Sequence, residues 1–260
     1  MEDRRILAFA GKGGVGKTSL SAVTVLLLAR LFPGKKILAI DADPAVGLAT
    51  ALGIEADRTV NDVRLRFVDE FTRPGRPSAL EVMNEAHYEM TDAVVDAGDF
   101  AFLAIGRPEG AGCYCAVNEF LKGIVTGLAE EFDYVVIDGE AGIEQINRRV
   151  MEKVTDLILV SDGSKKGIDV VKTIDGVAKS LGMCNRSGLV INRVGRPEVR
   201  EMICGTLEGG PELLGFTGED EELAMLDIKG MSLAQLPEDS ATVAAMKDIL
   251  KKLGIFPAGE

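Results

Sequence analysis

The chain has 260 residues, enough for one large α/β domain rather than two small ones, and its 47% hydrophobic content supports a sizeable core. A net charge of −12, with no basic stripe anywhere, speaks against a nucleic-acid footprint. Four cysteines in a chain this size do not read as a secreted disulfide framework, no apolar run is long enough to span a bilayer, and Met1-Glu2-Asp3-Arg4-Arg5 is not a signal peptide, so a reduced, cytoplasmic protein is expected.

Ile6 to Ala10 is a short, almost wholly apolar run and predicts a buried strand. Gly11-Lys12-Gly13-Gly14-Val15-Gly16-Lys17-Thr18 follows and fits G-x-x-x-x-G-K-[ST] at every fixed position. Ser19 to Arg30, rich in Ala and Leu and free of Gly and Pro, predicts a helix. Strand, glycine loop and helix together form a phosphate cradle, because backbone N–H groups can turn inward at the positive end of the helix. Lys17 is expected to neutralise the outer phosphates, and the Thr18 hydroxyl to take one position on Mg²⁺. The chain is therefore read as binding a nucleoside triphosphate. Lys12 is an extra cation inside the loop. GKGGVGKT resembles the deviant loop of the MinD/ParA/nitrogenase-iron-protein class of ATPases. That resemblance implies a homodimer in which Lys12 reaches the partner's nucleotide and acts as an arginine finger does elsewhere. The plain alternative is a solvated surface lysine.

Lys36 to Ile40 predicts a second strand, ending in Asp41-Ala42-Asp43-Pro44. Two carboxylates at a strand's carboxyl end beside the phosphate loop are suited to orienting water and metal. The resemblance makes this the first switch, with Asp43 positioning the attacking water and Asp41 supporting the Mg²⁺ shell. From residue 54 to 98 the pattern is weak: connecting helices, a Pro-Gly-Arg-Pro turn at 74–77 in a mobile loop, and helix-like spacing around Leu80 to Val95. His87, the only histidine, is assigned no role.

Phe100 to Ile105 predicts a third strand. It leads into a Gly-rich turn carrying Cys113 and Cys115, with a helical pattern from Val117 to Glu130. Tyr134 to Asp138 predicts a fourth strand closing on an aspartate that would hold Mg²⁺ through water. The Gly139 to Gly142 segment is the second switch of the resembled class. Leu157 to Val160 and Gly188 to Asn192 read as buried strands with a helix over Lys166 to Ser180 between them. Asn192 and Arg193 stand where the resembled class recognises adenine. The Leu236-Pro237-Glu238 loop, ahead of a last helix over about 240–253, would close the base pocket. The apolar spacing from Ala244 to Phe256 is read as core packing rather than a membrane anchor. Alternating strands and helices imply a doubly wound, mostly parallel sheet in a single domain over residues 1–260, with its ligand loops at one edge.

Cys113 and Cys115 carry the second chemistry. In an extended segment, residues i and i+2 face the same way, so both thiols share a side. Two thiolates are too few for a soft-metal site, and neither a histidine nor Cys184 nor Cys204 is near in sequence. A two-fold dimer would present the pair twice and give four sulfur ligands. The alternatives are a strained local disulfide and two buried apolar thiols. GRPEGAGCYCAVNEFL followed by VVIDGEAGIEQINR resembles the CooC-type accessory ATPases and their relative AcsF. That resemblance spans nearly the whole chain. It implies an ATP-dependent metallochaperone, holding Ni²⁺ or Zn²⁺ across the dimer and serving a nickel enzyme, carbon monoxide dehydrogenase or acetyl-CoA synthase. Nitrogenase-like iron proteins keep a cysteine in the second switch, where this chain has Gly139-Glu140-Ala141-Gly142. An iron–sulfur carrier or reductase, and a ParA/MinD-like positioning ATPase, are the alternative readings.

Overall fold

β1 (Arg5–Gly11) lies inside the molecule because Leu7 to Ala10 offers water no polar face; all four side chains are fully buried. The computed structural model describes residues 4–72, 79–107, 115–140 and 142–256. Within them, β1 joins β2 (Ile37–Asp41), β3 (Val95–Asp96), β4 (Ala101–Ala104), β5 (Tyr134–Asp138), β6 (Val154–Ser161), β7 (Cys184–Ile191) and β8 (Glu212–Phe216) in one sheet of order β3-β4-β2-β5-β1-β6-β7-β8. Every pairing is parallel except that of the short edge strand β3 with β4. The chain runs from β1 outward to β2 and β4, returns through β5 to β1's flank, and then leaves on the other side through β6, β7 and β8. The reversal falls at β1, so the loop after β1 opens into the crevice where ligands bind in such sheets.

Alternate residues of the same strands build two separate apolar layers. Leu7, Phe9, Ala39, Val136 and Ile158 face one layer, closed by α1 (Lys17–Leu31), α2 (Gly47–Leu52) and α10 (Ala241–Lys252). Ala8, Ala10, Ile40, Ile137 and Leu157 face the other. That layer is closed by α3 (Val60–Thr72), α4 (Ala79–Asp92), α5 (Cys115–Ala129), α6 (Ile143–Arg149), α7 (Lys165–Ser180) and α8 (Pro197–Cys204). α1 is apolar on nearly all sides because α10, α2 and the sheet surround it. Val243, Met246, Ile249 and Leu250 of α10 are all buried, so the apolar face of this helix is consumed by packing, as its spacing predicts. No helix among the described residues is long and apolar enough to cross a membrane.

The predicted strands are all present, with β6 and β7 longer than expected. β8 was not expected: it is short, contains Gly215, and carries a bulge opposite Leu189 and Val190 that breaks its alternation. α9 (Glu221–Lys229) was also missed, for no residue of it is buried and periodicity has nothing to report. The weakly patterned stretch resolves into α3, α4 and the edge strand β3, so the helix-like spacing ends at Asp92 and Val95 is in a strand; Arg66 ties α3 to Glu85 and Glu89 of α4, and Arg58, just before α3, pairs with Glu89 and Asp92. The turn at 74–77 lies outside the described residues.

Candidate functional site: a nucleotide cleft at the carboxyl edge of the sheet

Two glycines of the loop are there for geometric reasons. Gly11 has φ 147°, and a Cβ on it would stand 2.2 Å from the Val160 carbonyl oxygen of β6. Gly16 has φ 92°, and a Cβ on it would stand 2.3 Å from the Asn192 side-chain nitrogen. L-residues avoid that conformation, so both positions demand glycine on two independent grounds. Gly13 and Gly14 have open space where a Cβ would go, on the side that faces the cleft. α1 then starts at Lys17 with no side-chain cap, leaving its first-turn N–H groups for a ligand. Val15 is buried in the core and contributes only its backbone to the loop. The Lys17 ammonium lies 3.2 Å from the Lys12 carbonyl oxygen, held across the loop it is expected to serve.

Behind the loop stand two fully buried carboxylates, side by side in register on β2 and β5: Asp41 and Asp138. Asp138 accepts hydrogen bonds from Thr18 Oγ1 at 2.7 Å and Ser21 Oγ at 3.2 Å. Burial pushes its pKa up to about 6, against the Thr18 hydroxyl, Lys17 and Ser21, which pull it down. Asp41 accepts from the backbone N–H groups of Asp43 at 3.1 Å and Leu48 at 2.8 Å, so it ties the turn after β2 to the start of α2. Burial and the nearby Asp138 charge push it up to about 7. Both lack a lysine or arginine ion pair among the described residues. Hard oxygen donors without an ion-paired lysine or arginine, beside a threonine hydroxyl, suit Mg²⁺. Thr18 and Asp138 would hold it, with Asp41 behind, and it would neutralise phosphate oxygens. Asp43 lines the cleft and folds its own turn by accepting from the Ala45 N–H at 2.9 Å.

Two hollows meet over this loop. One, of about 460 Å³, is lined by Gly13, Gly16, Lys17, Thr18 and Asp43. The other, of about 370 Å³, is lined by Asn192, Gly218, Glu219, Asp220, Leu223 and Ala224. Ser19, Arg193 and Asp227 line both. A phosphate half and a base half joined in this way match the shape of a nucleotide.

Asn192 is 7% exposed and mostly engaged within the protein. Its Nδ2 donates to the Val15 carbonyl oxygen at 2.7 Å, while its Oδ1 accepts from the Arg193 N–H at 3.0 Å and from Thr217 Oγ1. These partners fix which end is oxygen, and they leave one N–H as the amide's remaining donor toward the base hollow. Arg193 sits in the left-handed region at φ 61° and leans its guanidinium toward the Gly14 carbonyl oxygen at 3.4 Å. Leu236 does not close the base hollow. It is buried beside Leu233, Val23 and Leu27 under α1, and neither it nor Pro237 lines the two nucleotide hollows. α9 and the loop before it take that place.

Lys12 is about one-third exposed and pairs with Asp162 of its own chain at 3.5 Å. α5 begins at Cys115 rather than Val117, so the extended geometry expected of the cysteine pair does not continue through the second of them. Cys113 lies outside the described residues. Cys184 is a half-buried free thiol, pushed up by burial and by Asp175, and Cys204 is free and exposed. His87 is exposed on α4.

A parallel sheet with a glycine-rich loop at its crevice, a lysine and a threonine at the helix start, and paired aspartates on the flanking strands defines a P-loop ATPase of the MinD/ParA class. Residues 6–233 match the CobQ/CobB/MinD/ParA nucleotide binding domain family, and the chain belongs to that family. It is 34% identical over 249 residues to an uncharacterised ATP-binding protein of Methanocaldococcus jannaschii, covering 95% of this chain and 98% of that one. It is 28% identical over 265 residues to the carbon monoxide dehydrogenase accessory protein CooC of Rhodospirillum rubrum, covering 95% of this chain and 97% of that one. Among solved structures, the septum site-determining protein MinD of Pyrococcus horikoshii, complexed with Mg-ADP, superposes with a TM-score of 0.70 at 20% identity over 96% of each chain.

Proposed function

We propose that this ATPase is a metallochaperone that assists nickel insertion into carbon monoxide dehydrogenase or acetyl-CoA synthase. The observation that carries the reading is the end-to-end similarity to CooC in a chain that has Cys113-x-Cys115 where β4 gives way to α5. β1, β2, β4 and β5 end at one edge of the sheet, so the segment after β4 and the phosphate loop share that edge. ATP binding draws two subunits together. Lys12 leaves Asp162 and reaches the partner's phosphates. Asp43 holds the attacking water, Lys17 and the loop N–H groups stabilise charge on the phosphates, and hydrolysis relaxes the switches so that Cys113 and Cys115 release Ni²⁺, or Zn²⁺ in its place.

Metal analysis of anaerobically purified protein tests this. Wild type carries one nickel or zinc ion per two chains, and Cys113→Ser carries none while keeping its ATP turnover. Equal metal in both proteins, or none in wild type, would return the chain to the positioning ATPases of its family.

A further inference from the structure

On the sheet face opposite α1, a third hollow of about 230 Å³ opens between α3, α5 and α6. Its floor is apolar: Val60, Ile105 and Leu121 are all buried. Its rim consists of Asn61, Arg64, Asn118 and Arg148, and no carboxylate lines it among the described residues. The wall is fixed by the sheet. Thr59 bridges Ala104, and the Asn61 N–H donates to the Ile105 carbonyl oxygen at 3.0 Å.

Asn61 is only 9% exposed, yet its amide is half used. Oδ1 accepts from Arg64 Nε at 2.9 Å, which orients the group and leaves Nδ2 without an acceptor among the described residues. This N–H₂ is not enclosed: it stays open to water at the rim, where it can donate to an occupant. Arg148 is exposed and has no hydrogen bond or ion pair among the described residues. The rim thus offers donors to an occupant, over a floor that prefers hydrocarbon.

We propose that this hollow binds a small organic acid, its carboxylate held by Arg148 and Asn61 and its short aliphatic stem on Val60, Ile105 and Leu121. The guanidinium fork matches a planar carboxylate, and the apolar floor favours it over phosphate, which has no stem to bury. The volume lies below that of drug-sized sites and suits an acid of a few carbons. The hollow also stands between α6, which follows the second switch, and α5, which begins at Cys115. An occupant would therefore touch both.

Nitrogen-15 NMR of the full chain, titrated with sodium butyrate and in parallel with inorganic phosphate, tests the assignment. Butyrate should give saturable shifts at the Asn61 side-chain amide and the Leu121 N–H. Arg148→Gln, a change at an exposed residue that lines neither nucleotide hollow, should bind butyrate about tenfold more weakly, the loss of one charge-assisted hydrogen bond, with ATP affinity unchanged. No shift at these groups, phosphate binding as tightly as butyrate, or equal butyrate affinity in the variant would each overturn it.

Discussion

Asn192 shows how one side chain can serve the site without facing the reaction. Its amide clamps the phosphate loop at Val15 to the end of β8 at Thr217. Asn192→Ala strands the Val15 carbonyl and the buried Thr217 hydroxyl, a loss of about 2 kcal/mol in stability. The loop also loses its support, so calorimetry should show a lower melting temperature together with weaker ATP binding. The phosphate loop itself was legible in the sequence, because its spacing is dictated by backbone chemistry that tolerates few substitutes. The clamp was not, since an asparagine at a strand end looks the same whether it faces a base or a neighbouring loop. Lys12 is the opposite case: readable as an extra cation, while its pairing with Asp162 could come only from the fold. With an in-trans role, Lys12→Ala should still bind ATP but hydrolyse it on the order of a thousandfold more slowly. Normal single-turnover hydrolysis by that variant would remove the role.

At the scale of elements, α9 packs only the half-buried Leu223 and Leu226 against the core, so its capped ends carry much of its hold. Asp220 caps it by accepting from the Leu223 N–H at 3.1 Å, and also accepts from Ser240 Oγ at 2.6 Å and the Thr242 N–H at 3.0 Å, so one carboxylate joins α9 to α10. Burial alone would raise its pKa, but these hydrogen bonds outweigh burial and hold it below the usual carboxylate range. A group depressed in the folded state stabilises above its unfolded pKa, and that support is lost as pH falls through the folded value. Asp220→Ala should cost about 1 kcal/mol, as removal of a helix cap does, and weaken ATP binding because α9 borders the base hollow. Urea melts at neutral pH and in strong acid check the linkage: the difference between variant and wild type should shrink in acid. α9 and β8 escaped sequence reading for physical reasons. One has no fully buried residue, and the other is too short and too irregular to show its period.

At the scale of the whole molecule, the doubly wound sheet was legible because buried parallel strands must be apolar runs, and Leu7 to Ala10, Leu38 to Ile40, Val135 to Ile137 and Leu157 to Val160 are such runs. The direction of each side chain was not, since a continuous apolar run does not say which residue faces which layer. The structure assigns them strictly by parity, Leu7 and Phe9 to one side, Ala8 and Ala10 to the other. Neither layer therefore has a strand of its own. Pulling a strand out takes its alternate side chains from both layers at once, so the two layers are expected to unfold together. Heating the nucleotide-free protein should give a single calorimetric transition, with calorimetric and van't Hoff enthalpies in agreement; two resolved peaks would mean the halves are separable. The same sharing has an evolutionary side. A change of volume under α1 is felt beneath α7 through the common backbone, so the two cores can drift in sequence only in step.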